Sequence, residues 1–238
     1  MKPVLILQQS FSDGPAYLGT WLARHGVAAV VCNTEAGQTY PDSLAGFGAL
    51  AILGGEMSAN DPLQSLRQAQ SLFLQAVRDG LPTLGHCLGG QLMARALGAR
   101  VAASPMPEVG WHGITLSENP AANTWLGPAT AATVFQWHRE AFDVPAGGTR
   151  LAFSAACPNQ AFAVGPHLAM QFHVELDVDK LRVWCAAAGD DHGNEAQRVP
   201  TLQQTSAMLA RAETLMPQQQ ALADRIYARW WGQARAAT

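Results

Sequence analysis

Pro82-Thr83-Leu84-Gly85-His86-Cys87-Leu88-Gly89-Gly90-Gln91 decides the reading of this 238-residue chain. A short apolar run ends in G-H-C-L-G, and helical spacing starts at once with Leu88, Leu92, Met93, Ala96 and Leu97. This is the G-x-S-x-G nucleophile-elbow pattern with Cys in place of Ser. Glycines on both sides let the chain turn sharply, so Cys87 stands on a strand-to-helix corner. A thiol there meets the partial positive charge of a helix N-terminus, which favours the nucleophilic thiolate.

Working outward, apolar runs at 4–7, 27–31, 50–53 and 81–84 read as strands. Helical patterns at 14–25, 63–77 and 88–97 lie between or after them. Continuous apolar strands alternating with helices imply a parallel sheet covered on both faces. Ligands in such sheets bind beyond the carboxyl ends of the strands, where Gly54-Gly55 and Cys87 both fall. After Gly98 the rhythm changes. Stretches 111–116, 132–137, 150–154, 161–164 and 168–172 are strand-like and separated by Gly, Pro and Asn turns, which suggests an antiparallel or mixed section. From Asp177 the pattern is helical again. Residues 189–200 read as a polar break, and two helices are expected at about 202–215 and 218–231. Met208, Leu215, Ile226, Trp230 and Trp231 read as a core-facing stripe, with a dimer contact as the minority reading. This tail is also a candidate cover for the binding pocket.

Composition narrows the class. A globule of this length buries roughly 70–75% of its unfolded surface and needs no disulfide or metal staple. Hydrophobic residues make up 48% and charged residues 14%, with a net charge of −3. No basic cluster suggests nucleic acid, and no apolar run approaches a membrane span. Val4-Leu5-Ile6-Leu7 is too short for a signal-peptide core, so the expected location is cytoplasmic. Cys32, Cys87, Cys157 and Cys185 show no C-x-x-C spacing and read as reduced thiols, three of them buried fillers.

Cys87 needs a base, and the base needs an orienter. Met170-Gln171-Phe172-His173-Val174-Glu175 supplies both. Residues two apart on a strand point to one side, so His173 and Glu175 are expected together at a strand end. The carboxylate then accepts the Nδ1–H and leaves Nε2 for the thiol proton. A tetrahedral oxyanion needs two aimed donors. The Leu88 N–H, just after the nucleophile, is one candidate. Gly55 is the other, because Gly54-Gly55 can bring bare backbone close to a ligand. A zinc site from Cys87, His173 and Glu175 is disfavoured, because an elbow presents one thiol to a pocket rather than closing a tetrahedron.

Over roughly residues 1–176 these segments resemble the class I, triad-type glutamine amidotransferases, most closely the GMP synthase-type amidotransferase domain and its stand-alone relatives. The order is the Gly-Gly loop, the elbow, Val134-Phe135-Gln136-Trp137-His138, Cys157-Pro158-Asn159-Gln160-Ala161-Phe162 and Gln171-Phe172-His173-Val174-Glu175. The resemblance implies Cys87 as nucleophile, His173 as base and acid, Glu175 as orienter and Gln91 as a contact for glutamine. It also implies that backbone near Gln136 and Trp137 holds the substrate's α-amino and carboxylate groups. His138 is either a second active-site histidine or a turn histidine satisfied by backbone. Three departures stand out: Glu56 where relatives carry Pro after Gly-Gly, His138-Arg139-Glu140 where they often show His-Gly-Asp, and Val174 in the usual His-Pro-Glu.

The expected architecture is therefore α/β, a flavodoxin-like three-layer sandwich with a mixed, mostly parallel central sheet and a C-terminal helical extension. Residues 1–188 form the catalytic domain and 189–238 the extension packed on it. The expected reaction is hydrolysis of the γ-amide of glutamine through a γ-glutamyl thioester, without metal or organic cofactor. No G-x-x-x-x-G-K-[ST] phosphate loop occurs, so a separate synthetase partner is the expected ammonia acceptor. The alternatives are a stand-alone hydrolase or peptidase acting on a γ-glutamyl compound and a non-enzymatic binding module, and a homodimer is left open.

Overall fold

The computed structural model describes residues 2–236. Its strands are β1 (Val4–Gln8), β2 (Ala29–Asn33), β3 (Ala49–Ile52), β4 (Thr83–His86), β5 (Val101–Leu116), β6 (Ala131–Phe142), β7 (Thr149–Phe153), β8 (Ala161–Val164) and β9 (His167–Met170). Its helices are α1 (Ala16–Arg24), α2 (Gln64–Asp79), α3 (Leu88–Ala96), α4 (Pro120–Leu126), α5 (Val178–Ala187), α6 (Gly189–Ala196) and α7 (Thr205–Ala236). Among the described residues one sheet runs β2-β1-β3-β4-β9-β8-β7-β5-β6. It is parallel from β2 to β9 and antiparallel from β9 to β6. The expected mixed sheet is therefore present, with the antiparallel section after Gly98.

Alternation along β1 explains the layering. Val4 and Ile6 enter one core with Tyr17, Leu18, Trp21 and Leu22 of α1, Trp125 of α4 and Trp230 of α7. Leu5 and Leu7 enter the opposite core with Leu66, Leu72 and Phe73 of α2 and Leu92 and Met93 of α3. Successive side chains on a strand point to opposite faces, so an unbroken apolar run fills both layers. β2 departs from that reading. It is an edge strand, and Ala29, Val30 and Val31 are exposed.

Three helical details correct the sequence reading. Residues 189–200 are not a plain break: α6 forms there, with the His192 ring stacked on Trp137 and its Nε2 donating to Gln203 O at 2.9 Å. α4 was not foreseen; Asn119 caps it by accepting from Ala122 N, and Pro120 opens it. The two expected C-terminal helices are one, because α7 runs straight through Pro217. An interior proline costs about 3 kcal/mol or more. Met208, Ala212 and Met216 before it, and Ile226, Tyr227 and Trp230 after it, are buried in two cores. Each large apolar side chain contributes about 1.5–3 kcal/mol, so their sum outweighs the break.

Candidate active site

The elbow forms as its glycines demand. Cys87 has φ 48° and ψ −109°, a left-handed conformation that a non-glycine residue holds only under constraint. The constraint is visible: Cys87 N donates to Met170 O at 2.8 Å, and Gln91 N returns to Cys87 O at 2.9 Å. A Cβ on Gly89 would collide with Ile52 O, so no other residue lets α3 pack this close to β3. Leu88 carries the first N–H of α3, which no carbonyl of its own helix can satisfy.

His173 and Glu175 meet, but not by strand alternation. β9 ends at Met170, and both residues lie in the irregular segment that follows. Backbone bonds shape that segment: His173 N donates to Phe135 O of β6, and Tyr17 N of α1 donates to Glu175 O, both at 2.9 Å. The carboxylate Oε1 of Glu175 accepts from His173 Nδ1 at 2.7 Å. Both side chains are buried, and His173 Nε2 has no partner in a well-aligned hydrogen bond. The Cys87 side chain is among the groups that act on this imidazole. Burial alone would lower the imidazole, but the Glu175 carboxylate and the Cys87 sulfur outweigh it and push His173 up to about 10.

Cys87, His173, Gly55, Gln91, Trp137 and His138 all line one cavity of about 530 Å³ at the carboxyl end of the sheet. Cys87 Sγ faces Trp137 O at 3.7 Å and accepts from Gln171 Nε2 at 3.6 Å. Gln91 Nε2 donates to Glu140 O at 3.0 Å. His138 faces an acceptor at each nitrogen, Glu140 O at 3.1 Å and Glu108 Oε2 at 3.2 Å. Two expected contacts stand behind the wall. Gln136 is buried and donates to Gln160 Oε1 at 2.8 Å, and Gly54 is pressed by Asp13 and His173, whose atoms would lie 2.5 and 3.2 Å from a Cβ there. Among the described residues none of 201–238 lines the pocket, contrary to the expectation of a covering tail; its C-terminal wall is Trp184, Ala187 and Ala188 at the end of α5.

Sequence reasoning missed Asp13, Lys180 and Trp184. Lys180 Nζ lies 3.1 Å from Glu175 Oε1 and 2.5 Å from Asp13 Oδ1. Trp184 sets its ring edge-on to His173 at 4.8 Å. Lys180, His173 and His86 together hold the Glu175 carboxyl well below the usual carboxylate range against the cost of burying it. His86, 3.8 Å from Glu175 Oε2, is itself lowered by burial despite that neighbour. Among the described residues two groupings of His, Cys and acidic side chains are compact enough for a metal: Asp13, His173 and Glu175, and Glu108, His138 and Cys157. In the first the Lys180 ammonium already sits between the carboxylates. In the second Glu108 is saturated by His138, Ser154 and Gln160. Burial pushes the Cys157 thiol up to about 11 and raises Cys32 and Cys185 as well.

The model of the glutamine amidotransferase class-I family matches residues 22–180. The glutamine amidotransferase-like protein YfeJ of Salmonella typhimurium is 31% identical over 186 residues, covering 75% of this chain and 77% of the relative. The glutamine-hydrolyzing GMP synthase of Thermomicrobium roseum is 33% identical over 129 residues, 53% of this chain but 23% of that enzyme. A crystal structure of a glutamine amido transferase from Methylobacillus flagellatus superposes with TM-score 0.92 at 32% identity, covering 98% of this chain and 95% of that one. A glutamine amidotransferase from Thermotoga maritima, 23% identical over 96% of this chain and 97% of its own, shares the fold with TM-score 0.86. With its elbow and sheet order in place, the chain belongs to the class-I glutamine amidotransferase family.

Proposed function

We propose that the protein hydrolyses the γ-amide of glutamine at Cys87. The observation that carries this reading is the left-handed Cys87 at a helix start, sharing a cavity with a histidine whose Nδ1 is held by a buried carboxylate and whose Nε2 is unspent. The reactive form pairs a Cys87 thiolate with the His173 imidazolium, whose proton is held up to about 10. The thiolate attacks the γ-carbonyl, and the oxyanion takes the amides of Leu88 and Gly55. His173 gives its Nε2 proton to the leaving nitrogen, ammonia departs and a γ-glutamyl thioester remains. The imidazole then takes a proton from water as it adds to the thioester; the C–S bond breaks, glutamate leaves and the thiolate–imidazolium pair is restored. Gln91 and the wall from Trp137 to Glu140 orient the glutamyl group.

Residues 1–188 carry this chemistry and 189–238 are its helical extension. The ammonia goes to a separate acceptor. A relative from Thermoplasma acidophilum is one subunit of a glutamine-hydrolyzing GMP synthase, 29% identical over 56% of this chain and 66% of its own length, which supports a partner of the synthetase kind. Four unpaired cysteines suit a reducing cytoplasm.

One observation favours a second reading, a hydrolase of γ-glutamyl compounds. The cavity reaches Arg139, whose guanidinium holds the Glu195 carboxylate in a two-pronged pair and can receive a substrate carboxylate in its place. Mass spectrometry with a glutamine-analogue affinity label, paired with ammonia release, tests both. The expected result is an adduct on Cys87, lost in Cys87→Ser, with ammonia from glutamine. Cleavage of γ-glutamyl peptides without ammonia from glutamine favours the second reading, and label on another residue overturns both.

A further inference from the structure

We propose that Lys180 is a positioning residue for this hydrolysis, its ammonium fixing the Glu175 carboxylate on His173 and joining it, through Asp13, to the Gly54-Gly55 loop. The inference rests on the Cys87, His173 and Glu175 reading above. Lys180 Nζ reaches the same Glu175 oxygen that accepts from His173 Nδ1. It also pairs with Asp13 Oδ1 and donates to Gly14 O at 3.1 Å. An ammonium has three protons, and three acceptors surround it. The side chain is 4% exposed, which separates it from a surface ion pair.

One helical turn along α5, Trp184 completes the grip. Lys180 Nζ sits 4.8 Å over the Trp184 ring, and that ring meets His173 edge-on while its Nε1 donates to Ser12 O at 2.8 Å. Residues four apart share a helix face, so α5 touches both the base and the carboxylate that orients it. Asp13 extends the line, since its Oδ2 lies 2.5 Å from where a Cβ on Gly54 would be. A continuous chain therefore runs from the imidazole through Glu175, Lys180 and Asp13 to the loop of the proposed oxyanion donor.

The charges around Glu175 make this testable by sign. His86 of β4 is lowered by burial and Tyr227 of α7 is raised well above its ordinary value, so both are neutral near pH 7. The charged neighbours are His173, Lys180 and, behind it, Asp13. Removing the cation makes the thiol harder to ionise beside the imidazolium, and removing the Asp13 anion makes it easier. A merely structural role would move both variants the same way.

The experiment is the pH profile of Cys87 alkylation by iodoacetamide, read by intact mass on the full chain, for wild type, Lys180→Met and Asp13→Asn. The acid limb is expected to rise by about one pH unit in Lys180→Met and to fall in Asp13→Asn. Superimposed profiles, or shifts of one sign, overturn the proposal. If Lys180→Met does not fold, Asp13→Asn decides alone, because Lys180 keeps Glu175 as partner; an unmoved or raised limb there overturns it. Alkylation needs no substrate, so a wild type that releases no ammonia from glutamine but shows opposite shifts loses the glutamine assignment and keeps this inference. A wild-type Cys87 that resists alkylation throughout overturns both.

Discussion

Two buried clusters in this molecule are built from the same three residue types and do opposite things. In one, Cys87 and His173 border the cavity and Glu175 is buried beside His173. In the other, His138 also touches the cavity, but Glu108 and Cys157 are buried away from it. Glu108 accepts from His138, Ser154 and Gln160 at 3.2, 2.9 and 2.6 Å. His138 faces an acceptor at each nitrogen, and the Cys157 thiol points at Asn159 O at 3.5 Å. Every valence there is spent within the protein. Around Cys87 the opposite holds: the histidine keeps one buried nitrogen unspent, and the cysteine is forced into a left-handed turn beside open space. Composition does not separate a polar support from a reactive site. Unsatisfied capacity held in place does, because leaving it buried costs free energy that only a ligand or a reaction recovers.

The widest separation between the clusters is expected from their thiols. Cys87→Ser should lower ammonia release from glutamine by at least about 10⁴-fold, since the remaining donors and binding give only residual catalysis. Cys157→Ser should stay within a few-fold per folded molecule. Equal losses in the two variants would erase the contrast.

The carboxylates come next. Glu175→Gln keeps an oxygen for His173 and Lys180 but removes the charge that holds the imidazolium, and should cost roughly 10³–10⁴-fold in kcat. Wild-type activity should fall as pH rises through about 10, where His173 loses its proton. Glu175 is one of the causes of that raised value, so the alkaline limb in Glu175→Gln should move to lower pH. Glu108→Gln should act on stability instead. Its amide oxygen can still accept from His138 and Gln160, so the expected loss is about 1–3 kcal/mol in denaturant unfolding, with activity per folded molecule nearly unchanged. A kcat collapse in Glu108→Gln would make the second cluster part of the reaction.

These contrasts bear on what was legible in the sequence. The elbow was readable because strand, glycines and helix are local and adjacent. His173 and Glu175 were readable as residues, while the reason they meet was not: they lie beyond β9, steered by backbone bonds to Phe135 and Tyr17 that no local pattern announces. Lys180 was hidden by its type. A lysine in the first turn of an amphipathic helix reads as solvated, and only the fold brings Asp13, 167 positions earlier, against it. α4 did carry a signal, Asn119-Pro120, an N-cap followed by a first-turn proline. Pro217 misled in the opposite direction, because the propensity penalty is local and the two cores that outweigh it are not.

Thiol chemistry sharpens the same comparison at a smaller scale. With its thiol at about 11, Cys157 is about 10⁻⁴ thiolate at pH 7, and burial further denies it reagent. Peptide mapping after brief iodoacetamide treatment should therefore find Cys87 modified ahead of Cys157, Cys185 and Cys32. Comparable labelling of Cys157 would mean that the satisfied cluster opens in solution.

The smallest expected effect lies at the rim, where a charged pair is exposed rather than buried. Arg139 and Glu195 face each other with side chains 56% and 38% exposed, tying the cavity wall to α6. Exposed pairs contribute about 0.2–1 kcal/mol, so Arg139→Ala and Glu195→Ala should each lower Tm by less than about 4 °C. Stability cannot tell the two variants apart, but KM can. If the guanidinium exchanges Glu195 for a substrate carboxylate, Arg139→Ala raises KM for γ-glutamyl compounds, while Glu195→Ala frees the guanidinium and lowers it. Equal KM in both variants would reduce the pair to a tether for α6, and would leave selectivity for the glutamyl group to Gln91 and the rest of the wall around Cys87.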